Sequence, residues 1–308
     1  MILVVNLNAS LDKKYTLNNL EKGSIMRALD VHNTPGGKGI HVANVLNILN
    51  ENHIVTGFLG GKTGEFIENK LKEYNINQDF VKIKGNTREC LAIITDDLVQ
   101  TEILEPGPTV TNEEQKKFLN KYTSLIKDCN MVVASGSIPR NIPKDFYKNL
   151  IEIAKNENKK FLLDTSGELL KNGIEAKPFF IKPNKDEIES LTGRKITNSK
   201  DAIKEIKEFH KKGIEFVVIS LGEEGSIAGF NGKFYKVTIP NVTAVNTVGS
   251  GDSYVAGIAL GLQKSLPIED VLKFASACGT ANAVEEETGF VNKNIVEDLL
   301  NKITVTIL

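Results

Sequence analysis

The residues best suited to chemistry are Asn246-Thr-Val-Gly-Ser-Gly-Asp-Ser253, a glycine-rich turn running into a helical pattern at 253–263. Glycines let a backbone turn so that successive N–H groups point the same way. The N-terminus of the following helix adds about half a positive charge there. Gly249, Ser250 and Gly251 are therefore candidates for an anion hole that stabilises phosphoryl oxygens. Asp252 follows directly, placed to take a proton from an attacking hydroxyl. An aspartate is ionised at neutral pH, and a largely dissociative phosphoryl transfer needs its proton removed only late, so a weak base suffices. The plainer alternative is a glycine turn with Asp252 as a helix cap.

A second motif, Pro35-Gly-Gly-Lys-Gly39, opens a helical pattern carrying His41, Asn44 and Asn47. It offers a backbone site for an anion or hydroxyl, with Lys38 as a point charge, or simply a helix start. A third set follows strand-like runs: Ser135-Gly-Ser137, Asp164-Thr-Ser-Gly-Glu168, Lys182-Pro-Asn184 continuing to Glu187, and Ser220-Leu-Gly222 continuing to Gly225. Ligands of open α/β sheets sit outside the carboxyl ends of strands. Four successive polar ends therefore count for more together than singly, although each alone fits a loop or a cap. Gly61-Lys62-Thr63 is no phosphate-binding P-loop, because the first glycine of that pattern falls at Thr56. Gly249-Ser-Gly251 is no dinucleotide fingerprint, because Tyr254 takes the third glycine position.

The elements that must position these residues alternate. Buried strand patterns at 2–7, 54–59, 131–134, 161–163, 179–181 and 216–220 are separated by helical patterns at 39–49, 64–74, 112–126, 144–154, 185–191 and 200–211. Such alternation predicts a doubly wound, mostly parallel sheet with helices on both faces. Segments 10–34 and 85–105 are more polar and alternate with period two, which predicts a small second sheet exposed on one face. An apolar face there needs a cover, either substrate or a second subunit. Asn231-Gly232 marks a hairpin between 226–230 and 234–239, and helices are expected near 268–284 and 295–302.

The 308 residues are 41% apolar and 25% charged, with a formal net charge of −1. That balance supports a sizeable core and gives no global attraction to nucleic acid. Three scattered cysteines and no CxxC point to a reducing compartment. Histidines at 32, 41, 53 and 210 show no metal spacing. With no basic leader and no long apolar run, the expected location is cytoplasmic, away from membranes.

In this order, from residue 3 to about 300, the motifs resemble the phosphofructokinase B group of ribokinase-like sugar kinases. Gly36-Gly-Lys-Gly39 and the 246–252 region match its two signatures. Leu7-Asn-Ala-Ser-Leu-Asp12, Thr87-Arg88 and Ser135-Gly-Ser-Ile-Pro139 resemble the branch acting on tagatose 6-phosphate and fructose 1-phosphate. Thr101-Glu-Ile-Leu-Glu-Pro-Gly-Pro108 and the stretch 282–291 look closer to the tagatose 6-phosphate enzymes, as does Ser250, where the fructose 1-phosphate enzymes more usually carry alanine.

The resemblance implies an ATP-dependent kinase making a ketohexose bisphosphate, tagatose 1,6-bisphosphate first and fructose 1,6-bisphosphate as the alternative. A catalytically silent sugar-phosphate sensor is the non-enzyme alternative, and the intact Asp252 speaks against it. It implies one ribokinase-like α/β domain over 1–308 with a small β lid from segments 10–34 and 85–105, and a homodimer through that lid. Asp252 would be the base and Gly249, Ser250 and Gly251 the anion hole. Asp12, Gly37, Lys38 and Asn44 would line the acceptor pocket, while Arg27, Lys38, Arg88 and Ser137 would hold the acceptor's existing phosphate. Asn184 and Glu187 would place Mg²⁺ through water. Lys182, Asn184, Ser220, Gly222, Gly225, Thr247 and Asn282 would line the ATP site. A phosphorylated acceptor is a dianion and needs cations beyond those serving ATP, which suits the two arginines.

Overall fold

The first buried run becomes β1 (Ile2–Asn6), near the middle of the large sheet of a computed structural model that describes residues 1–97 and 99–308. Leu98, inside the segment 85–105, lies outside the described residues. The chain leaves β1 for β2 (Ser10–Thr16) and β3 (Asp30–Gly36), then returns through α1 (Lys38–Ile48) to β4 (His53–Gly60). After α2 (Gly61–Glu73) and β5 (Val81–Ile83) comes a second excursion, β6 (Arg88–Ile94) and β7 (Gln100–Leu104). Alternation then runs through α3 (Asn112–Leu125), β8 (Met131–Ser135), α4 (Phe146–Asn156), β9 (Lys160–Asp164), α5 (Gly167–Glu175) and β10 (Phe180–Ile181). Next are α6 (Lys185–Thr192), α7 (Ser199–Lys211) and β11 (Phe216–Ser220). The hairpin β12 (Ser226–Phe230) and β13 (Lys233–Thr238) precedes α8 (Ser250–Gln263), α9 (Ile268–Ala283), α10 (Lys293–Leu300) and β14 (Thr304–Ile307).

Among the described residues the large sheet has the order β14-β13-β12-β11-β10-β9-β8-β1-β4-β5, parallel from β11 to β5 and antiparallel at the β12–β14 edge. Alternating side chains feed two cores. Ile2 and Val4 pack with Val42, Val255 and Leu272, while Leu3 and Val5 pack with Phe118, Leu150 and Phe209. Each large apolar side chain buried there is worth roughly 1.5–3 kcal/mol. Strand order reverses between β1 and β8, the place where open α/β sheets form their ligand crevice. The carboxyl ends flanking that crevice are Asn6, Ser135 and Asp164.

The two polar excursions pair into a separate sheet, β3-β2-β6-β7. Its register sets Ser10 beside Arg88 and Asp12 beside both Thr34 and Cys90, so these residues share one face.

Four elements depart from expectation, among them β5, whose Val81-Lys-Ile83 is too short to mark itself as a buried run. The run after Asp164 forms α5, because Leu169, Leu170 and Ile174 recur at helical spacing behind polar neighbours. The last residues add β14 to the antiparallel edge. Helix α8 begins at Ser250, not at 253, with Gly249 as its cap in the left-handed region (φ 85°). Asp252 is thus the third helical residue, and its side chain does not cap the helix. Among the described residues no helix is long and apolar enough to cross a membrane.

Candidate active site

At the start of α8 the first-turn N–H groups have no carbonyls of their own helix to bond. Among the described residues no acceptor bonds the N–H groups of Gly249, Gly251 or Asp252. They are free to bind an anion. Gly249 cannot be replaced cheaply, since a Cβ there would lie 2.6 Å from the Gly289 nitrogen.

Asp252 is buried, and its Oδ2 lies 2.9 Å from Nδ1 of His41. The other ring nitrogen, Nε2, is 3.5 Å from Oδ2 of Asp12. Burial alone would lower the His41 pKa, but hydrogen bonds to Asp12 and Asp252 outweigh it and push the value up to about 9. Because this exceeds the free value of about 6.5, the stability His41 contributes is fully present below that pH. It fades as pH rises through about 9. Oδ1 of Asp252 carries no hydrogen bond among the described residues.

Beside this trio runs a second charged row. Asp164, fully desolvated at the end of β9, lies 3.5 Å from the ammonium groups of both Lys38 and Lys182. Burial pushes its carboxyl up, and the two lysines, Lys182 foremost, more than reverse that and hold it below the usual range. Lys38 is raised in turn, by Asp164 first and then by Asp252 and Glu187. A Cβ on Gly251 would lie 3.3 Å from the Lys182 ammonium, so that cation sits over the glycine turn.

Two cavities meet here. One, of about 310 Å³, lies under the small sheet and is lined by Asp12, Gly37, Lys38, Asn44, Arg88, Gly249, Gly251 and Asp252. The other, of about 590 Å³, is lined by Lys182, Asn184, Ser220, Gly222, Gly225, Thr247, Ser250 and Gly251. Gly251 belongs to both.

Four expected residues stand apart. Arg27 is exposed on the irregular stretch between β2 and β3 and lines neither cavity. Ser137 is exposed at the rim, where Asn8 Nδ2 donates to its hydroxyl at 3.0 Å; Arg88 Nε donates to the Asn8 carbonyl, joining the two. Glu187 lines neither cavity. One of its oxygens accepts the Asn184 N–H while Asn184 Oδ1 accepts the Glu187 N–H, a reciprocal cap at the start of α6. Asn282, expected in the ATP site, is fully buried and lines neither cavity. It is a brace: Oδ1 accepts from the Gly289 N–H at 2.8 Å, and Nδ2 donates to the Val248 carbonyl at 2.9 Å. Asn282→Ala strands both backbone groups, and the expected loss is about 2–4 kcal/mol. It should read as a lower urea midpoint with an unchanged slope; an unshifted midpoint would show that the brace carries no load.

Sequence inspection passed over the pairing of His41 and placed Asp164 only as a polar strand end. Strand-end position was the available signal for Asp164. For His41 it was a histidine three residues beyond Lys38, on the same helical face.

Two cavities that share an anion-binding glycine turn have the layout a kinase needs. Comparison with known proteins agrees: the chain belongs to the pfkB family of carbohydrate kinases, whose sequence model matches residues 5–294. It is 42% identical to a tagatose-6-phosphate kinase of Staphylococcus epidermidis, over 99% of both chains. Among solved structures it is similar to phosphofructokinase-2 of Escherichia coli (TM-score 0.92, 25% identity, 97% of this chain and 98% of that one). A Thermotoga maritima protein described as a possible 1-phosphofructokinase is also similar (TM-score 0.91, 25% identity, 100% and 99%).

Proposed function

We propose that this chain transfers the terminal phosphoryl group of ATP to the free hydroxymethyl group of tagatose 6-phosphate, giving tagatose 1,6-bisphosphate and ADP. The observation that carries this is the shared wall: Gly251 lines both cavities, with Asp252 beside it on the acceptor side. The choice of sugar rests on the full-length likeness to a tagatose-6-phosphate kinase.

In this reading the polyphosphate lies along the second cavity, with its end against the free N–H groups of Gly249, Gly251 and Asp252. Lys182 and Lys38, both held by Asp164, face the charge that develops there. The sugar lies in the first cavity, where Asp12 and Asn44 contact hydroxyls and Arg88 holds the existing phosphate. Its hydroxyl oxygen bonds to the terminal phosphorus as the bond to ADP breaks, and its proton passes to Oδ1 of Asp252. The donor set suits Mg²⁺, which usually takes one or two carboxylates plus substrate phosphates and water. Among the described residues no cluster of three ligating side chains exists, and Glu187 is close enough to add to the rise of the Lys38 pKa, after Asp164 and Asp252. When bound, Mg²⁺ supplies charge neutralisation at the phosphates. Asn184, whose oxygen already caps α6, contributes through water.

The small sheet acts as a lid. Ser10, Asp12, Arg88 and Cys90 on one face roof the acceptor cavity, and excluding water there limits wasteful ATP hydrolysis. Its other face carries Tyr15, Val31, Ile93 and Ile103, with Val31 45% and Ile103 53% exposed. A second copy of the chain is the cover that fits a homodimer.

Fructose 1-phosphate is the second acceptor to weigh, given the Thermotoga maritima neighbour. Both sugars are furanoses with one free and one phosphorylated arm across the ring oxygen, so a flipped ring presents either similarly. Discrimination rests on a few hydroxyl contacts, each worth about 1–3 kcal/mol if a partner goes unpaired. Side-by-side kcat/KM for tagatose 6-phosphate, fructose 1-phosphate and fructose 6-phosphate decides. Tagatose 6-phosphate is expected to lead by at least about tenfold, one such contact. A lead for fructose 1-phosphate would transfer the assignment to that sugar.

A further inference from the structure

His41 is a buried ionisable group at the site to which the transfer chemistry above gives no task. It lies on the inner side of α1, where three other parts of the chain close on it. Asp252 comes from α8, Asp12 from the small sheet, and Gly289 presses on the ring from the loop after α9, so closely that a Cβ there would lie 2.5 Å from the His41 Cβ. Asn44 Nδ2, one turn along α1, donates to the Gly289 carbonyl at 2.9 Å and fixes that loop. The ring has little freedom to turn.

Each ring nitrogen faces a carboxylate oxygen, Nδ1 toward Asp252 and Nε2 toward Asp12. Ionised carboxylates only accept hydrogen bonds, and a neutral imidazole donates from one nitrogen while the other only accepts. The doubly protonated ring alone satisfies both contacts. A buried cation is costly without partners, and here it has two.

We propose that His41, held as an imidazolium between Asp12 and Asp252, is a positioning residue of the kinase: it fixes the base and ties it to the sheet that roofs the acceptor. This rests on the reading that Asp252 takes the hydroxyl proton. With Oδ2 committed to His41, the carboxylate cannot rotate, and Oδ1 is the oxygen presented to the sugar. A loose transfer that sheds its proton late needs the base in the right place more than it needs a strong one. The contact to Asp12 is longer than that to Asp252 and spans from α1 to the small sheet, so it is the part that depends on where the lid stands.

Several other charged groups face this trio. On α1 itself, Lys38 is drawn to Asp164 and also feels Asp252. From β6, Cys90 lies beside Asp12 in register and Arg88 lines the same cavity, as do Glu286 and Glu287 from the loop after α9. The hydrogen bonds of the two aspartates dominate over these and place the loss of the His41 proton near pH 9. Below that pH the base is held, and above it the clamp opens.

Side-chain ¹⁵N NMR of the full-length protein reads the state of His41 directly, since there are four histidines and His41→Asn assigns the signal. Both ring nitrogens are expected to be protonated at pH 7.5; a neutral tautomer at that pH overturns the proposal, whatever the variants do. Kinetics supply the second arm. Wild-type kcat should fall as pH rises through about 9. His41→Asn should have kcat about tenfold lower at pH 7.5, an unchanged ATP KM and no alkaline fall in that range, whereas a merely structural histidine would leave the profile in place. A variant retaining the wild-type profile with kcat within twofold also overturns it. Asp252→Asn, assayed alongside, separates this proposal from the reading beneath it. Normal turnover there removes the base assignment itself, while collapse there with an unaltered His41→Asn profile removes only the positioning role.

Discussion

Asp252→Asn is expected to lower turnover by at least about 10²-fold, the lower range for lost acid–base help, while both KM values stay within a few-fold of wild type. The substitution is nearly isosteric and keeps an oxygen for His41 at the position that Oδ2 now holds. It leaves the free N–H groups of Gly249 and Gly251 and the row Lys38-Asp164-Lys182 untouched, so phosphate binding should persist. What it removes is an acceptor for the sugar's proton. Stopped assays with both substrates varied check this. Near-wild-type turnover would take Asp252 out of the mechanism and return it to the plainer role of a helix residue.

Arg88→Ala should raise the KM for the sugar phosphate by roughly 10- to 100-fold, one charge-assisted contact of about 1.5–3 kcal/mol, with the ATP KM little changed. Arg88 is committed to two backbone carbonyls, Asn8 through Nε and Glu105 through Nη1, and among the described residues no carboxylate neutralises it. Its charge is fixed in place and left for a ligand. It lines the acceptor cavity and not the other one. Equal effects on both KM values would move Arg88 out of the acceptor site. Arg27, which carries the same charge but lies outside both cavities, should show a smaller effect when replaced by alanine.

How much of this was readable beforehand follows from what is local and what is not. The glycine turn, the base candidate and the polar strand ends are local patterns whose chemistry is fixed by residue type, and eight expected residues do converge on each cavity. The alternation of strands and helices was legible because two buried faces impose it. The pairing of His41 with Asp252 was not, since they lie 211 residues apart and nothing in either neighbourhood marks the other. Asn282 has the same lesson in reverse. The resemblance implies a place lining the ATP site, but a fully buried side chain satisfying Gly289 and Val248 is a brace, and only packing tells a brace from a lining residue. Helix α5 was missed because Gly167, Asn172 and Gly173 dilute a pattern carried by three apolar residues. Arg27 was implied by resemblance and suited by its charge, and neither says which way a connecting segment runs.

The central claim is that donor and acceptor meet at residues 249–252. A crystal structure of the full-length chain with tagatose 6-phosphate and an ATP analogue that cannot release its terminal phosphoryl group tests it most directly. The terminal phosphate is expected against the N–H groups of Gly249, Gly251 and Asp252. The free hydroxymethyl oxygen should bond Oδ1 of Asp252 and stand about 3–3.5 Å from the phosphorus, a distance from which attack can occur. A complex in which both ligands are bound but that oxygen points away from Asp252, or the phosphate chain ends far from Gly251, would contradict the account.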